Sequence, residues 1–86
     1  MNNYKINPEE RSILEQLIYA EPFGNILEET GLQAGELRDN LITLINFGFI
    51  EAYETDNSHK TSPHFYDSDN LQNFTFRATS KGLVAI

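Results

Sequence analysis

Apolar residues recur at the spacing of an α-helix near the start of the chain. Asn7, a suitable helix cap, is followed by a proline and two glutamates, and these residue types favour the first turn of a helix. The pattern predicts a first helix over about residues 8–20, ended by Pro22 and Gly24. Its expected core stripe is Ile13, Leu14, Leu17 and Ile18.

Two further helices are predicted before the period changes. A short helix covers about residues 25–30 and ends at Gly31, because glycine tolerates the left-handed conformation that closes a helix. A third helix covers about residues 33–47 and ends at Gly48. Its apolar positions follow an i, i+4, i+7, i+8 pattern and are expected to pack on the first two helices. They are Leu37, Leu41, Leu44 and Ile45.

After Gly48 the apolar residues alternate, which is typical of β-strands. Two strands, over about residues 49–54 and 73–79, are expected to form an antiparallel hairpin. The polar segment Thr55–Asn70 is longer than the usual hairpin connection of about 2–5 residues, so it is interpreted as a long loop. The expected core face of the second strand is Phe74, Phe76 and Ala78, and the tail Lys81–Ile86 is expected to dock on the core.

Length and composition favour one small domain over residues 1–86. The absence of cysteine excludes disulfides, thiolate zinc sites and a cysteine nucleophile. No apolar run approaches the roughly 20 residues of a membrane span, and the N-terminus lacks the apolar stretch of a signal peptide. These features predict a cytoplasmic protein without membrane contact. The 13 acidic residues outnumber the 6 basic ones, and the net charge of −7 repels polyanions at a distance.

The segment Gly31–Ile50 resembles the helix-turn-helix of MarR-like and ArsR-like bacterial regulators. In that family a Gly-Leu turn, here Gly31-Leu32, opens the recognition helix, and a glycine followed by two apolar residues leads into the wing. The ending Thr79-Ser80-Lys81-Gly82 resembles the end of the family's last wing strand. The resemblance implies an α+β fold, a small winged helix in which a three-helix bundle carries a C-terminal β-hairpin wing.

The resemblance also implies a regulator-type module that binds duplex DNA through its third helix and wing. The helix face opposite the leucines nevertheless carries Glu36 and Asp39, where the family usually has basic and hydroxyl residues. The alternative is a solvated polar face on a fold that serves another purpose. The candidate nucleic-acid contacts are Gln33, Arg38, Asp39, Asn40, Thr43, Lys60, Arg77 and Lys81.

The alternative function is an acidic winged-helix adaptor that binds a protein and no DNA. Ile42 is apolar where the family is commonly polar, so it either contacts a partner or is covered by Tyr4, Ile6 or the tail Val84–Ile86. Two adjacent loop aromatics either anchor the loop or contact a partner. The candidate partner contacts are Ile42, Phe47, Phe65 and Tyr66. Nothing in the sequence indicates a homodimer.

Catalytic and metal chemistry have little support in the sequence. It contains neither a glycine-rich phosphate loop nor an HExxH motif, and the glutamates of the first two helices are interpreted as a solvated surface. The potential metal ligands of the long loop match no known ligand spacing. They are His59, His64, Asp67 and Asp69. We therefore expect no enzyme activity, no cofactor and no metal.

Overall fold

The computed structural model describes residues 5–54, 60–61, 71 and 73–86. Its first helix, α1 (Pro8–Gln16), begins at the predicted cap, Asn7. The side chain of Asn7 accepts a hydrogen bond from the Glu10 backbone at 2.8 Å, and the Glu10 carboxylate accepts one from the Asn7 backbone at 3.0 Å. This reciprocal pair satisfies two otherwise unpaired backbone donors. It also buries Glu10, which is 2% exposed, so the solvated role predicted for the glutamates of α1 is wrong at this residue.

The first helix is shorter than predicted. It ends at Gln16, and Leu17 already belongs to the following turn. The carbonyl of Leu17 accepts a hydrogen bond from the backbone N–H of Ala78 at 2.8 Å, so this group bonds to a distant strand instead of continuing the helix. Ile18, predicted in the core stripe, is therefore turned outward and 48% exposed.

The second helix, α2 (Phe23–Thr30), starts two residues before its predicted position and ends as predicted. Gly24, expected to mark the end of the first helix, lies inside α2. Gly31 closes α2 with φ 72°, and its N–H donates to the carbonyl of Leu27 at 3.0 Å. Because residues with a Cβ are strained in this left-handed conformation, glycine is the favoured residue here.

The third helix, α3 (Ala34–Asn46), carries the predicted buried stripe. Gly48 adopts φ 78° just beyond its end, as its expected role in stopping the helix requires. The side chains of the stripe are 4% exposed or less: Leu37, Leu41, Leu44 and Ile45. The spacing of apolar residues thus correctly predicted which side of α3 faces the core.

Described residues form one antiparallel sheet from four strands, β1 (Glu21–Pro22), β2 (Ile50–Glu54), β3 (Lys60–Thr61) and β4 (Phe74–Ala78). The order across the sheet is β1-β4-β2-β3. The predicted hairpin is the pairing of β2 with β4, whose register runs from Ile50 opposite Ala78 to Glu54 opposite Phe74. The predicted core face of β4 is buried.

The two short strands were not predicted. β1 pairs with β4. β3 pairs with β2, and it lies within the segment that the sequence predicted as a long loop. Each has two residues, too few to show an alternating pattern. Their existence depends on the neighbouring strand that each one meets.

The C-terminal residues form a fourth helix, α4 (Ser80–Ala85), where the sequence predicted a docked tail. The Thr79 hydroxyl caps α4 by accepting from the Gly82 backbone at 3.2 Å. The prediction that the tail docks on the core is confirmed for Ala85 and Ile86, which are partly buried and pack against the core. It is wrong for Val84, which is 84% exposed.

The fold is mixed α+β. Its buried apolar residues come from α1, α2, α3, β2, β4 and the segments beside them. The core therefore joins the helices to the sheet. No helix in the described part of the chain is long and apolar enough to cross a membrane.

Candidate interaction surface of the third helix

The outward side of α3 is exposed and acidic. Glu36 and Asp39 lie three residues apart, about one helical turn, and both are exposed. The side chain of Asp39 is 75% exposed. The half-buried Thr43 donates its hydroxyl to the backbone carbonyl of Asp39 at 3.1 Å. Two carboxylates and an internally bonded hydroxyl thus occupy the face that the resemblance assigns to DNA.

Gln33 and Arg38, two predicted nucleic-acid contacts, are both exposed. The Gln33 backbone N–H donates to a carboxylate oxygen of Glu36 at 3.3 Å, across the first turn of α3. Arg38 lies with its Nε 3.7 Å from a carboxylate oxygen of Asp39. A surface pair of this kind contributes little to stability, but it places a negative partner beside the one arginine of α3.

Asn40 connects α3 to α1. Its side-chain amide donates to the Glu9 carboxylate at 3.1 Å and to the backbone carbonyl of Glu36 at 3.0 Å. The first bond joins residues 31 positions apart, so it brings a third carboxylate to the same region. We call the group Glu9, Glu36 and Asp39 the acidic surface. Asn40, predicted to contact DNA, is partly engaged in assembling it.

The predicted cations of the hairpin occupy different surroundings. The side chain of Lys60 lies outside what the structure describes. Arg77 is exposed on β4, opposite Glu51 of β2. The ammonium group of Lys81 donates a hydrogen bond to the backbone carbonyl of Phe47 at 2.7 Å, and it lies 4.9 Å from the ring centre of Phe49. The structure therefore ties Lys81 to the C-terminal end of α3.

Two of the predicted partner contacts lie in the described part of the chain. Ile42 and Phe47 are half-buried and pack against the core. Ile6 packs against the same core, while Tyr4 is among the residues that are not described. Phe65 and Tyr66 likewise lie outside the described residues.

Sequence reasoning missed an open cleft beside the acidic surface. It has a volume of about 200 Å³ and lies between the start of α1 and the loop from α2 to α3. Its lining combines apolar, hydroxyl and carboxylate groups from segments far apart in sequence, so no local motif could have indicated it. The lining residues are Pro8, Glu9, Ser12, Thr30 and Leu32.

Sequence reasoning also missed exposed apolar residues at the opposite end of α1. Tyr19 is 78% exposed in the turn after α1, and Leu83 is 44% exposed on α4. The Leu17 carbonyl is bonded to the Ala78 backbone, which sets this turn close to the start of α4. The early end of α1 is what exposes this turn, and helical periodicity does not signal it.

Among the described residues, no group of three or more histidine or acidic side chains is arranged to hold an ion. The loop residues weighed as ligands lie outside that part of the chain: His59, His64, Asp67 and Asp69. Comparisons with protein-family models, with curated proteins and with solved structures gave no match.

Proposed function

We propose that this chain is a winged-helix module that binds a cationic segment of a partner protein through the acidic surface. The order of the three helices α1, α2 and α3 and the antiparallel pair β2 and β4 supports a winged helix, to which β1, β3 and α4 are added. The proposed contacts are made by Glu9, Glu36 and Asp39.

The observation that carries this proposal is the link, through Asn40, between an exposed carboxylate of α1 and the segment of α3 that carries two more exposed carboxylates. Asn40 links the Glu9 carboxylate of α1 to the backbone carbonyl of Glu36 on α3, and Asp39 is exposed at the position of α3 just before Asn40. Exposed ion pairs contribute about 0–1 kcal/mol each, so three of them support a weak complex. Because salt screens exposed charges, its affinity should fall as ionic strength rises.

Duplex DNA fits the same face less well. Placing α3 in a groove would bring Glu36 and Asp39 towards a backbone that carries one negative charge per about 1.7 Å of helix axis. Among the predicted phosphate contacts, Arg38 has Asp39 beside it and Lys81 is bonded to Phe47. The charge balance therefore favours a cationic protein.

A binding experiment with a matched charge control tests the proposal. The probes are a short arginine-rich peptide, the same peptide with citrulline at each arginine, and a mixed-sequence DNA duplex. The double variant Glu36→Gln/Asp39→Asn should weaken binding of the arginine-rich peptide about tenfold, because two ion pairs of about 0.5–1 kcal/mol are lost. The readout is the dissociation constant at low salt.

The control is Glu28→Gln/Glu29→Gln, which makes the same change in net charge at exposed positions of α2. It should change the peptide affinity less than about twofold, since these sites lie outside the proposed contact. Equal losses in both double variants would mean that net charge alone attracts the peptide. That result would overturn the proposal, as would equal binding of the citrulline peptide.

DNA binding is the second candidate function. It is favoured by the connection between α2 and α3, where Gly31 makes a left-handed turn, because the turn of a helix-turn-helix often contains a glycine. In this case the duplex should bind with a steep salt dependence, and Arg38→Ala or Lys60→Ala should weaken it. Failure to bind a pool of duplex sequences at about 50 mM salt would count heavily against DNA as the ligand.

A further inference from the structure

The cleft beside the acidic surface has the size of one amino-acid side chain. Its volume is about 200 Å³. A cavity of about 150 Å³ accommodates benzene, whereas pockets for drug-sized ligands or cofactors measure about 300–1,000 Å³. The cleft is therefore large enough for a single long side chain.

The lining of the cleft suits a side chain with an apolar stem and a cationic end. Pro8 and Leu32 supply apolar walls, and Ser12 supplies a hydroxyl group. Glu9 supplies a carboxylate, which can accept about four hydrogen bonds, and the bond from Asn40 uses one of them. The carboxylate can therefore hold Asn40 and still receive a donor from a ligand.

We infer that this cleft receives one arginine side chain of the cationic partner segment, with its stem against Pro8 and Leu32 and its guanidinium at Glu9. The inference rests on the proposed function, because the cleft shares Glu9 with the acidic surface. It adds a specific anchoring position to a contact that otherwise depends on exposed charges.

Arginine fits this cleft better than lysine for two physical reasons. The guanidinium is planar and more weakly hydrated than an ammonium, so it loses less by lying against Leu32 and Pro8. Its several N–H groups point in fixed directions, so it can donate to the Glu9 carboxylate and the Ser12 hydroxyl together. A lysine ammonium is more strongly hydrated and is expected to bind more weakly.

A titration followed by NMR tests the inference on the full chain labelled with ¹⁵N. The probes are the blocked peptides acetyl-Gly-Arg-Gly-amide, its lysine counterpart and its citrulline counterpart. The arginine peptide should shift the backbone amide signals of Ser12, Thr30 and Leu32 in a saturable way. The lysine peptide should bind more weakly, and the uncharged citrulline peptide about tenfold more weakly or not at all.

Two variants separate charge from shape. Glu9→Gln keeps an acceptor for Asn40 but removes the charge, and it should weaken the arginine peptide about three- to tenfold. Ser12→Leu should fill the cleft and abolish the saturable shifts. The control Glu15→Gln makes the same charge change at an exposed position of α1, six residues further on, and should leave the affinity unchanged.

The possible results decide between this inference and the proposed function. The cleft assignment is overturned by one combination of affinities for the arginine-rich peptide. In that combination, Glu36→Gln/Asp39→Asn lowers the affinity, whereas Glu9→Gln and Ser12→Leu leave it unchanged. The proposed function would then stand. The assignment would also be overturned if the citrulline peptide bound at the cleft with the same affinity as the arginine peptide. Absence of binding by every arginine peptide would overturn both.

Discussion

The two ends of α3 are built in opposite ways. At its C-terminal end, the turn Phe47–Phe49 meets the segment Thr79–Gly82, and we call this contact the C-terminal junction. There the Thr79 hydroxyl donates to the Gly48 carbonyl at 2.7 Å and the Thr79 backbone N–H donates to the Phe49 carbonyl at 2.9 Å. At the other end, Glu36 and Asp39 face solvent beside an open cleft.

This difference separates a structural end of the helix from the end to which we assign binding in our proposal. At the C-terminal junction, the backbone N–H groups of the turn Phe47–Phe49 satisfy carbonyls in the last turn of α3, which a helix cannot pair internally. Thr79 and Lys81, from a distant part of the chain, satisfy the carbonyls of the turn itself. At the N-terminal end, exposed carboxylates can exchange water for a ligand with little effect on packing. Substitutions at the junction should therefore lower the free energy of unfolding, and substitutions at the acidic surface should alter binding.

The largest expected effect is that of Gly82→Ala. A methyl group here would overlap the backbone carbonyl of Phe49 and crowd Leu14, so a backbone segment would have to move. We expect a loss of about 3 kcal/mol in the free energy of unfolding, since overpacking a buried site typically costs about 1–3 kcal/mol. Urea denaturation measures it.

The control for this variant is Gly35→Ala, at an exposed position of α3 where an added methyl meets no neighbour within 4 Å. It should raise the free energy of unfolding by about 0.5–1 kcal/mol, because alanine favours the helix over glycine. Equal effects of the two variants would contradict the tight packing assigned to the C-terminal junction.

The next effect in size is that of Thr79→Ala, which removes the cap of α4 and the donor to the Gly48 carbonyl. We expect a loss of about 1–2 kcal/mol, in line with the removal of helix caps. Thr79→Ser keeps the hydroxyl and should retain most of the stability. A serine variant as unstable as the alanine variant would show that the hydroxyl is not what the junction needs.

A smaller effect is expected for Lys81→Met, which keeps the apolar stem and removes the ammonium at the Phe47 carbonyl and the Phe49 ring. The expected loss is about 1 kcal/mol. Arg77→Met removes a charge from an exposed position of β4 and should change stability by less than about 0.5 kcal/mol. Thermal and urea unfolding of both variants compare the two, and equal losses would contradict the role given to Lys81.

The smallest effect on stability belongs to the acidic surface. Glu36→Gln/Asp39→Asn should change the free energy of unfolding by less than about 0.5 kcal/mol, because both side chains are exposed and the glutamine can still accept from the Gln33 backbone. The same urea titration measures it. A loss above about 1 kcal/mol would mean that these carboxylates support the fold, and the contrast between the two ends of α3 would fail.

The candidate site was predictable in part. Glu36 and Asp39 could be assigned to the outward face because helical periodicity alone relates them to Leu37 and Leu41. The participation of Glu9 could not, since its bond to Asn40 spans 31 positions. The bond of Lys81 to the Phe47 carbonyl could not be predicted either, because it requires α4 to fold back onto the end of α3.

Local sequence pattern by itself determined the capped start of α1, the buried stripe of α3, the glycine turns at Gly31 and Gly48, and the positions of the two longer strands. These features depend on side-chain periodicity and backbone conformation within a few residues. Tertiary structure alone decided the early end of α1, the short strands, the burial of Glu10 and the cleft. Each of these depends on hydrogen bonds or packing between distant segments, whose free energy outweighs local preference.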